Sequence, residues 1–508
     1  MNVKDSHCMS KVRYILFFCL LSCSVQLGAR TFGDLARRSF WQGSRNVAGI
    51  RQDSLSRSYA EVFGRYEDGG FMNTWDAPRG WNAGAVTGSV LHFERISFTG
   101  SFSFDQDEGY DMCGSMFARP GYFPIDVMEF TPGRKTMQTY AFDGGVAYDL
   151  NGSWSLGVRM DFESSNIAKR KDLRYAGWRL DMSVAPGLMY RSGDLAFGLS
   201  PFMRKVSETI DAQQIGTSES SYYAFFDKGL MYGVHQVWTG SGVHLQEPGV
   251  NGLPVREYSY GGAVQAQYRD LYADLEIFAS SGVSGEKEYI WFEFPGMGLS
   301  SQLRYRLSDG GREHHMSLGF DWKRQDMDEN ILEKVNNNGV VDVLNHGSNR
   351  ILSRQMWSLV PEYEFVSPRV EVLASLGIEG YDGMSYQMYP FVNTLSLTDF
   401  SAQVRTLVRL GNFDLKVGLM GSKGFMEEGS RTVGNGSAVT EPYRLQDWYE
   451  RQMEYMTAFR TVTEISLRYN FSAGLYLEAS GDWMHGYGVS LTGGSNRFGS
   501  AFKIGYDF

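Results

Sequence analysis

The chain has 508 residues and a formal net charge of −10, with 14% aromatic residues, 59 Gly and only 13 Pro. The low Pro count excludes collagen-like and Pro-rich chains, and the aromatic content argues against disorder. The acidic balance argues against nucleic acid as a partner, because binding to phosphates requires a basic surface. The longest uninterrupted apolar run, from Tyr14 to Leu21, is too short for a membrane-spanning helix.

Residues 1–29 predict a secretory signal peptide. Lys11 and Arg13 precede the apolar stretch, and residues 27–29 offer a cleavage site with small side chains. An alternative is lipoprotein processing, because residues 20–23 resemble a bacterial lipobox that ends at Cys23. If the signal peptide is removed, we expect an exported chain with Cys113 as its single cysteine. An internal disulfide is then excluded, so a core or a hydrogen-bond ladder must stabilise the protein.

From about residue 57 onward the sequence alternates between apolar and polar side chains with a period of two. In the stretch from Ser153 to Glu163, for example, Trp154, Leu156 and Val158 lie on one face of the predicted strand. Short turn sequences, such as residues 192–194 and 309–311, separate pairs of these strands. Longer connections fall at about 106–135, 209–254, 326–350 and 423–457. Short turns on one rim and long loops on the other are typical of outer-membrane barrels.

The pattern therefore predicts an all-β fold for residues 57–508: a single transmembrane antiparallel β-barrel with short periplasmic turns and long extracellular loops. We count 18 strands, with 16 as the alternative. An even number places both ends of the barrel on the periplasmic side. The surroundings of such a barrel would be outer-membrane lipid and lipopolysaccharide.

The last predicted strand places Phe498, Phe502, Ile504 and Tyr506 on one face and ends in Phe508. In this it resembles outer-membrane β-barrel proteins of Gram-negative bacteria, and the resemblance implies that the barrel-insertion machinery recognises Phe508. The whole chain also resembles uncharacterised outer-membrane barrels of Bacteroidota. Residues 46–49 resemble the N-terminal segment of long-chain fatty-acid transporters, except that Val47 replaces the Pro of that pattern.

The polar face of the predicted strands carries charges of both signs. Facing lipid at mid-membrane, a Lys or Arg would cost about 2 to 4 kcal/mol, so these side chains are expected to face the lumen. The candidate lumen-lining residues are Arg159, Asp161, Glu163, Arg304, Arg306, Arg405, Arg409, Glu464 and Arg468. Two interpretations remain open: the charges pair into a ladder that fills the barrel, or some of them line a solute path and set its selectivity.

Residues 30–56 precede the first strand and have two interpretations. Arginines, including Arg38, Arg45 and Arg51, alternate there with apolar residues such as Trp41. The segment would act as a small plug if these arginines met carboxylates in the lumen. Otherwise it is a periplasmic tail.

The long connections contain more aromatic residues and Met than exposed loops require. The candidate contact residues are Tyr222, Tyr223, Phe225, Phe226, Trp238, Trp448 and Tyr449. Apolar clusters of this kind are usually buried against something. The loops would pack on one another, extend the strands above the membrane, contact a surface partner, or bind an apolar ligand.

Motifs for nucleotide binding, zinc binding and nucleophilic catalysis were not found, so we expect neither an enzyme nor a cofactor. A lipid-modifying site at His485 is a minor alternative. The sequence favours a passive or partner-gated channel for a small solute. The alternative is a closed barrel that serves as an interaction platform for a surface lipoprotein or another outer-membrane partner.

Overall fold

The computed structural model describes residues 38–53, 56–171, 173–213, 222–231, 233–238, 254–286, 289–337, 340–388, 391–431, 445–471 and 474–508, for a few of them the backbone alone. Within these ranges, eighteen antiparallel strands form one closed barrel. The fold class and the strand number predicted from the sequence are confirmed. The predicted signal peptide lies outside the described residues.

The strands follow one another around the wall, and a small hairpin and one helix branch from the extracellular connections. The strands are β1 (Arg57–Gly69), β2 (Arg79–His92), β3 (Ile96–Ser115), β4 (Asp126–Asp149), β5 (Trp154–Lys169), β6 (Arg174–Ser192), β7 (Leu195–Gln213), β8 (Tyr222–Asp227), β9 (Gly233–Trp238), β10 (Val255–Tyr268), β11 (Leu271–Glu286), β12 (Tyr289–Asp309), β13 (Arg312–Asn337), β14 (Val340–Val366), β15 (Val370–Met388), β16 (Phe391–Leu410), β17 (Phe413–Arg431), β18 (Phe459–Asn470), β19 (Leu475–Tyr487) and β20 (Asn496–Asp507). Before β1 comes a 3-10 helix, Val47–Gln52, and before β18 comes helix α1, Leu445–Thr457. Among the helices in the described ranges, none is long and apolar enough to cross a bilayer.

The barrel closes where β1 pairs with β20. At this seam the Ser58 N–H donates to the Phe508 carbonyl at 2.8 Å, and the Phe508 N–H donates to the Ser58 carbonyl at 2.9 Å. β7 pairs directly with β10, while the β8–β9 hairpin leaves the wall and pairs with β4. The wall is therefore complete without the hairpin.

The short turns fall where the sequence places them. Ser192 pairs with Leu195 across the β6–β7 turn, and Asp309 pairs with Arg312 across the β12–β13 turn. In the second turn Gly310 and Gly311 have φ of 56° and 85°, the left-handed conformation that two-residue hairpin turns require.

The outward face of the strands is an apolar belt with aromatic edges. On β6 the outward side chains run from Trp178 through Leu180, Met182, Val184, Pro186 and Leu188 to Tyr190. At about 3.3 Å per residue and a tilt near 40°, this run spans about 30 Å, close to the height of a membrane belt. Trp178 is 50% exposed on this face, as a lipid-facing side chain should be.

Above the belt, several strands continue well beyond the membrane. On β13 the outward side chains change after Trp322 to Arg324, Asp326 and Asp328. Arg350 of β14 forms an ion pair with Asp326 at 2.7 Å and another with Asp328. Residues 326–350, which the sequence analysis assigned to a long connection, are thus mostly paired strands. Polar side chains on both faces remove the period-two signal, and so sequence patterning missed them.

Candidate functional site

The inner face of the barrel is lined by charged side chains, and most of them are buried. Arg159 on β5 bonds Asp143 and lies 3.1 Å from Asp161, and it also donates to the Ser44 carbonyl at 3.3 Å. Ser44 belongs to the segment before β1, so Arg159 faces the lumen and contacts chain inside it. Asp161 also accepts from Ser183 at 2.6 Å, and Glu163 bonds Arg119.

Residues 38–53, here called the N-terminal segment, lie inside the barrel. Asn46 orders the start of the 3-10 helix, because its side chain accepts from the Ala48 N–H at 3.1 Å. The same side chain donates to the Leu188 carbonyl at 3.0 Å and to Gln265 at 3.1 Å. Gly49 is required here because a Cβ would lie 1.9 Å from the Trp41 ring.

Three arginines anchor the N-terminal segment to different sides of the wall. Arg38 bonds Glu364 at 2.9 Å and Glu371 at 2.7 Å, on β14 and β15. Arg45 bonds Glu276 on β11 at 2.6 Å. Arg51 bonds Asp149 at the end of β4, also at 2.6 Å. The segment therefore crosses the lumen and is held on several sides.

Apolar and aromatic contacts complete the seat of the N-terminal segment. Phe40 stacks on Tyr272 of β11, with ring centroids 5.5 Å apart, and Trp41 meets the same ring edge-on. Arg304 on β12 donates to the Ser39 carbonyl at 2.8 Å. Arg306 lies over the Phe40 ring and forms an exposed ion pair with Asp270 at 3.0 Å, near the periplasmic rim.

A second segment enters the lumen from the extracellular side. Residues 116–125, here called the inward loop, connect β3 to β4 and bury several large apolar side chains. The Tyr122 hydroxyl donates to Glu257 on β10 at 3.0 Å. Arg354 on β14 donates to the carbonyls of Gly121 and Tyr122 at 3.2 and 2.8 Å. The inward loop is therefore bound to two separate strands of the wall, β10 and β14.

The remaining sector of the wall, from β16 to β20, carries the other predicted lumenal charges. Arg405 and Glu464 flank Gly418, where a Cβ would lie 3.2 Å from the Glu464 carboxylate. Arg409 bonds Glu371 and the Ser367 carbonyl, near the periplasmic turns. Arg468 bonds Asp507 at 3.2 Å, and its guanidinium lies 3.4 Å from the centroid of the Tyr476 ring.

Four of the aromatic residues predicted to make loop contacts pack together with other loop residues in what is here called the extracellular cap. These four are Phe225, Phe226, Trp448 and Tyr449. Tyr449 of α1 is buried in a cluster with Phe71 and Tyr381, and Trp448 contacts Phe130 with ring centroids 5.5 Å apart. Phe225 and Phe226 of β8 are both buried. The side chains of Tyr222, Tyr223 and Trp238, the other predicted contacts, lie outside the described residues.

Helix α1 is tied to the next extracellular loop through Glu454. This carboxylate accepts from the backbone N–H groups of Ser490, Leu491 and Thr492 at 2.7, 2.6 and 2.9 Å. Partial burial alone would raise its pKa, but these hydrogen bonds outweigh burial and lower the pKa. The cap is thus fastened by polar as well as apolar contacts.

The lumenal charges are shielded from solvent along most of the wall. Arg159, Arg304, Glu464 and Arg468 are all at most 7% exposed. A water-filled channel of 18 strands would leave such side chains accessible. With the N-terminal segment and the inward loop in place, the lumen of the described structure is occluded.

Sequence reasoning did not find the residues that hold the inward loop. Arg204, Glu257 and Arg354 face the lumen but lie at the edges of the predicted strands, where apolar inward neighbours such as Phe202 disturb the alternation. Tyr122 lies in the long connection at 106–135, where aromatic content predicts loop contacts and not a lumenal position. Its position between Gly121 and Phe123 contains no signal for inward folding.

These features define a closed transmembrane β-barrel with two segments inside its lumen. Residues 47–508 match the model of the Family of unknown function (DUF6850), so the chain belongs to this family. No curated protein matches the chain.

Solved structures with a similar fold include outer-membrane transporters and receptors. The copper transporter OprC aligns with 9% identity and a TM-score of 0.38, covering 89% of this chain and 80% of its own. The FrpB iron transporter from Neisseria meningitidis aligns with 8% identity and a TM-score of 0.41, covering 90% and 82%. BauA, the ferric preacinetobactin receptor from Acinetobacter baumannii, aligns with 6% identity and a TM-score of 0.40, covering 90% and 80%. Similarity at this level does not indicate a substrate for this chain.

Proposed function

We propose that the protein is a gated outer-membrane channel for a small solute, in which the N-terminal segment is the gate. The observation that carries this proposal is the way the segment is bound. Arg38, Arg45 and Arg51 hold it through ion pairs to wall strands on different sides of the lumen. Deletion of residues 38–53 would remove these contacts without removing a strand of the barrel.

The chemistry of these contacts favours a gate over a permanent filling. A buried ion pair contributes little net stability compared with well-packed apolar side chains of the same volume. Water and solute can replace the polar contacts when the segment leaves, whereas apolar filling has no such substitute. Apolar contacts such as Phe40 on Tyr272 position the segment in its seat.

Single-channel recording in planar bilayers tests the proposal. The full chain should be closed most of the time, and the variant lacking residues 38–53 should conduct steadily. If neither protein conducts, the gated channel is refuted.

A disulfide lock provides a matched control. The Val47 Cβ lies 3.2 Å from where a Cβ at Gly145 of β4 would be, slightly below the usual Cβ–Cβ separation of a disulfide. We expect Val47→Cys with Gly145→Cys, in a Cys113→Ser background, to abolish openings when oxidised and to restore them when reduced. Equal activity in both redox states would contradict a moving N-terminal segment.

A second candidate function is a closed interaction platform, and the burial of the lumenal charges favours it. In that case the N-terminal segment never leaves, and the extracellular cap holds a surface lipoprotein. Affinity capture from gently solubilised membranes should then recover a stoichiometric partner. A variant with an altered cap would lose that partner, and deletion of residues 38–53 would not.

A further inference from the structure

Tyr122, at the tip of the inward loop, occupies a cage of charged side chains in the lumen. Its ring centroid lies 4.7 Å from the Arg179 guanidinium, 5.7 Å from that of Arg204 and 5.4 Å from the Lys323 ammonium. Its hydroxyl donates to Glu257 at 3.0 Å. The phenol is thus bound at its face by cations and at its edge by a carboxylate, the two contacts that a phenol prefers.

The cage contains charged groups of both signs. Its cations are Arg179, Arg204, Lys323 and Arg354, and its carboxylates are Asp181, Glu208 and Glu257. Asp181 is shared, because it accepts from Arg204 at 2.6 Å and from Arg179 at 3.3 Å. Arg179 and Arg204 therefore share one carboxylate.

Arg179 has hydrogen-bond donors that are not satisfied. Its side chain is 1% exposed, and within the described residues its Nε and Nη1 atoms have no hydrogen-bond partner. Burying a guanidinium with two unpaired donors costs free energy in the closed state. An acceptor that enters the lumen in another state of the protein would satisfy these donors. The two donors belong to the group that lies over the Tyr122 ring.

We infer that this cage is a binding site for a small aromatic anion that carries a hydroxyl group, and that Tyr122 fills it when the barrel is closed. The ring of the ligand takes the place of the Tyr122 ring, its hydroxyl donates to Glu257, and its carboxylate accepts from Arg179. This inference rests on the proposed channel function and names the class of solute for it.

Tyr122 and the solute then compete for one position. The ligand must first displace the tyrosine. Its apparent association constant is therefore the intrinsic constant multiplied by the fraction of molecules in which the cage is vacant. Removal of the ring should therefore increase affinity, which is the opposite of what loss of an ordinary contact residue does.

Isothermal titration calorimetry of the purified full chain tests the site with 4-hydroxybenzoate as the probe. We expect Tyr122→Ala to bind the probe at least about tenfold more tightly than the unchanged protein. Acetate, which has no ring, should bind neither protein measurably. Equal or weaker binding to Tyr122→Ala overturns the inference.

Two further variants identify the contacts. Adding Arg179→Met to Tyr122→Ala should weaken probe binding about 10- to 100-fold, because a charge-assisted hydrogen bond is lost. Arg460→Met in the same background is the matched control, since Arg460 is equally buried but lies on β18 beside α1, away from the cage. Similar loss in both double variants contradicts a specific site.

Tyr122→Phe covers the case in which Tyr122→Ala does not fold. It keeps the ring and removes only the hydroxyl, so Glu257 is left for the hydroxyl of the probe. We expect it to bind 4-hydroxybenzoate about tenfold more tightly than the unchanged protein and to prefer it over benzoate. An absence of this preference also refutes the inference.

The binding readout is independent of conductance. Probe binding to Tyr122→Ala together with a barrel that never conducts would refute the channel and leave the site intact. A conducting barrel without probe binding would refute the site alone.

Discussion

The ion pair between Arg45 and Glu276 is the contact through which the gate is tested most directly. Two hydrogen bonds join the groups, Nε to Oε2 at 2.7 Å and Nη2 to Oε1 at 2.6 Å. The Arg45 side chain is 5% exposed, and its guanidinium lies 3.8 Å from the centroid of the Phe202 ring. Arg45→Gln removes the charge and leaves Glu276 without its ionic partner in the lumen.

Removing one partner of a buried pair costs about 3 to 5 kcal/mol. Glu276 is 16% exposed and so keeps some solvation, and we therefore expect a cost near 3 kcal/mol, the lower end of this range. A loss of about 3 kcal/mol shifts the equilibrium between the seated and the released segment by about 100-fold. We expect the open probability in single-channel recordings to rise by that factor or until the channel is always open.

The controls separate release of the gate from general damage. Arg95→Gln, in an exposed periplasmic turn, should leave the open probability unchanged. Arg45→Glu combined with Glu276→Arg should return it towards the original value, because the pair is restored in reverse. If Arg45→Gln has no effect on gating while the barrel remains folded, the segment is not held as proposed.

Three other predictions concern different parts of the molecule. Burial raises the pKa of Asp53 from 3.8 to about 6, against hydrogen bonds from Ser39 and Gln42 that lower it. Seating of the N-terminal segment is therefore strongest below pH 3.8, and this contribution is lost as the pH rises to about 6 and above. Open probability at pH 7 should exceed that at pH 5 by about tenfold, a difference that Asp53→Asn should abolish. Glu454→Ala should lower the free energy of local opening at residues 490–492 by about 2 to 3 kcal/mol and so accelerate their hydrogen exchange. Glu450→Ala, on the exposed face of α1, should not change it. Val184→Arg, at mid-height on the outer face, should destabilise the barrel by about 2 to 4 kcal/mol in a denaturant titration, and unchanged stability would mean that lipid does not cover this face.

The barrel could be predicted from sequence because its signals are local. Period-two alternation predicts both that a segment is a strand and which of its side chains face the lumen. Turn residues such as Gly310 and Gly311 predict which neighbouring strands pair. The lumenal positions of Arg159 and Arg304 follow from parity alone. Such signals are independent of what fills the barrel.

The contents of the lumen were harder to predict. Pairs such as Arg38 with Glu364 and Tyr122 with Glu257 join residues that are far apart in sequence, and either partner has many alternatives of the same charge. For the N-terminal segment, plug and tail were equally compatible with its composition. For the inward loop, nothing in the order of residues 116–125 distinguishes folding into the lumen from packing in the cap.

The seam between β1 and β20 has a consequence for the order of assembly. Its pairs, such as Ser58 with Phe508, join the most distant parts of the barrel sequence, so loop-closure entropy makes this pairing among the slowest to form. The N-terminal segment immediately precedes β1 and therefore lies next to the last edge to be joined. Sealing the seam encloses whatever the lumen contains at that moment. Residues 38–53 can therefore be seated either while the seam is still open or, as reversible gating requires, after it has closed.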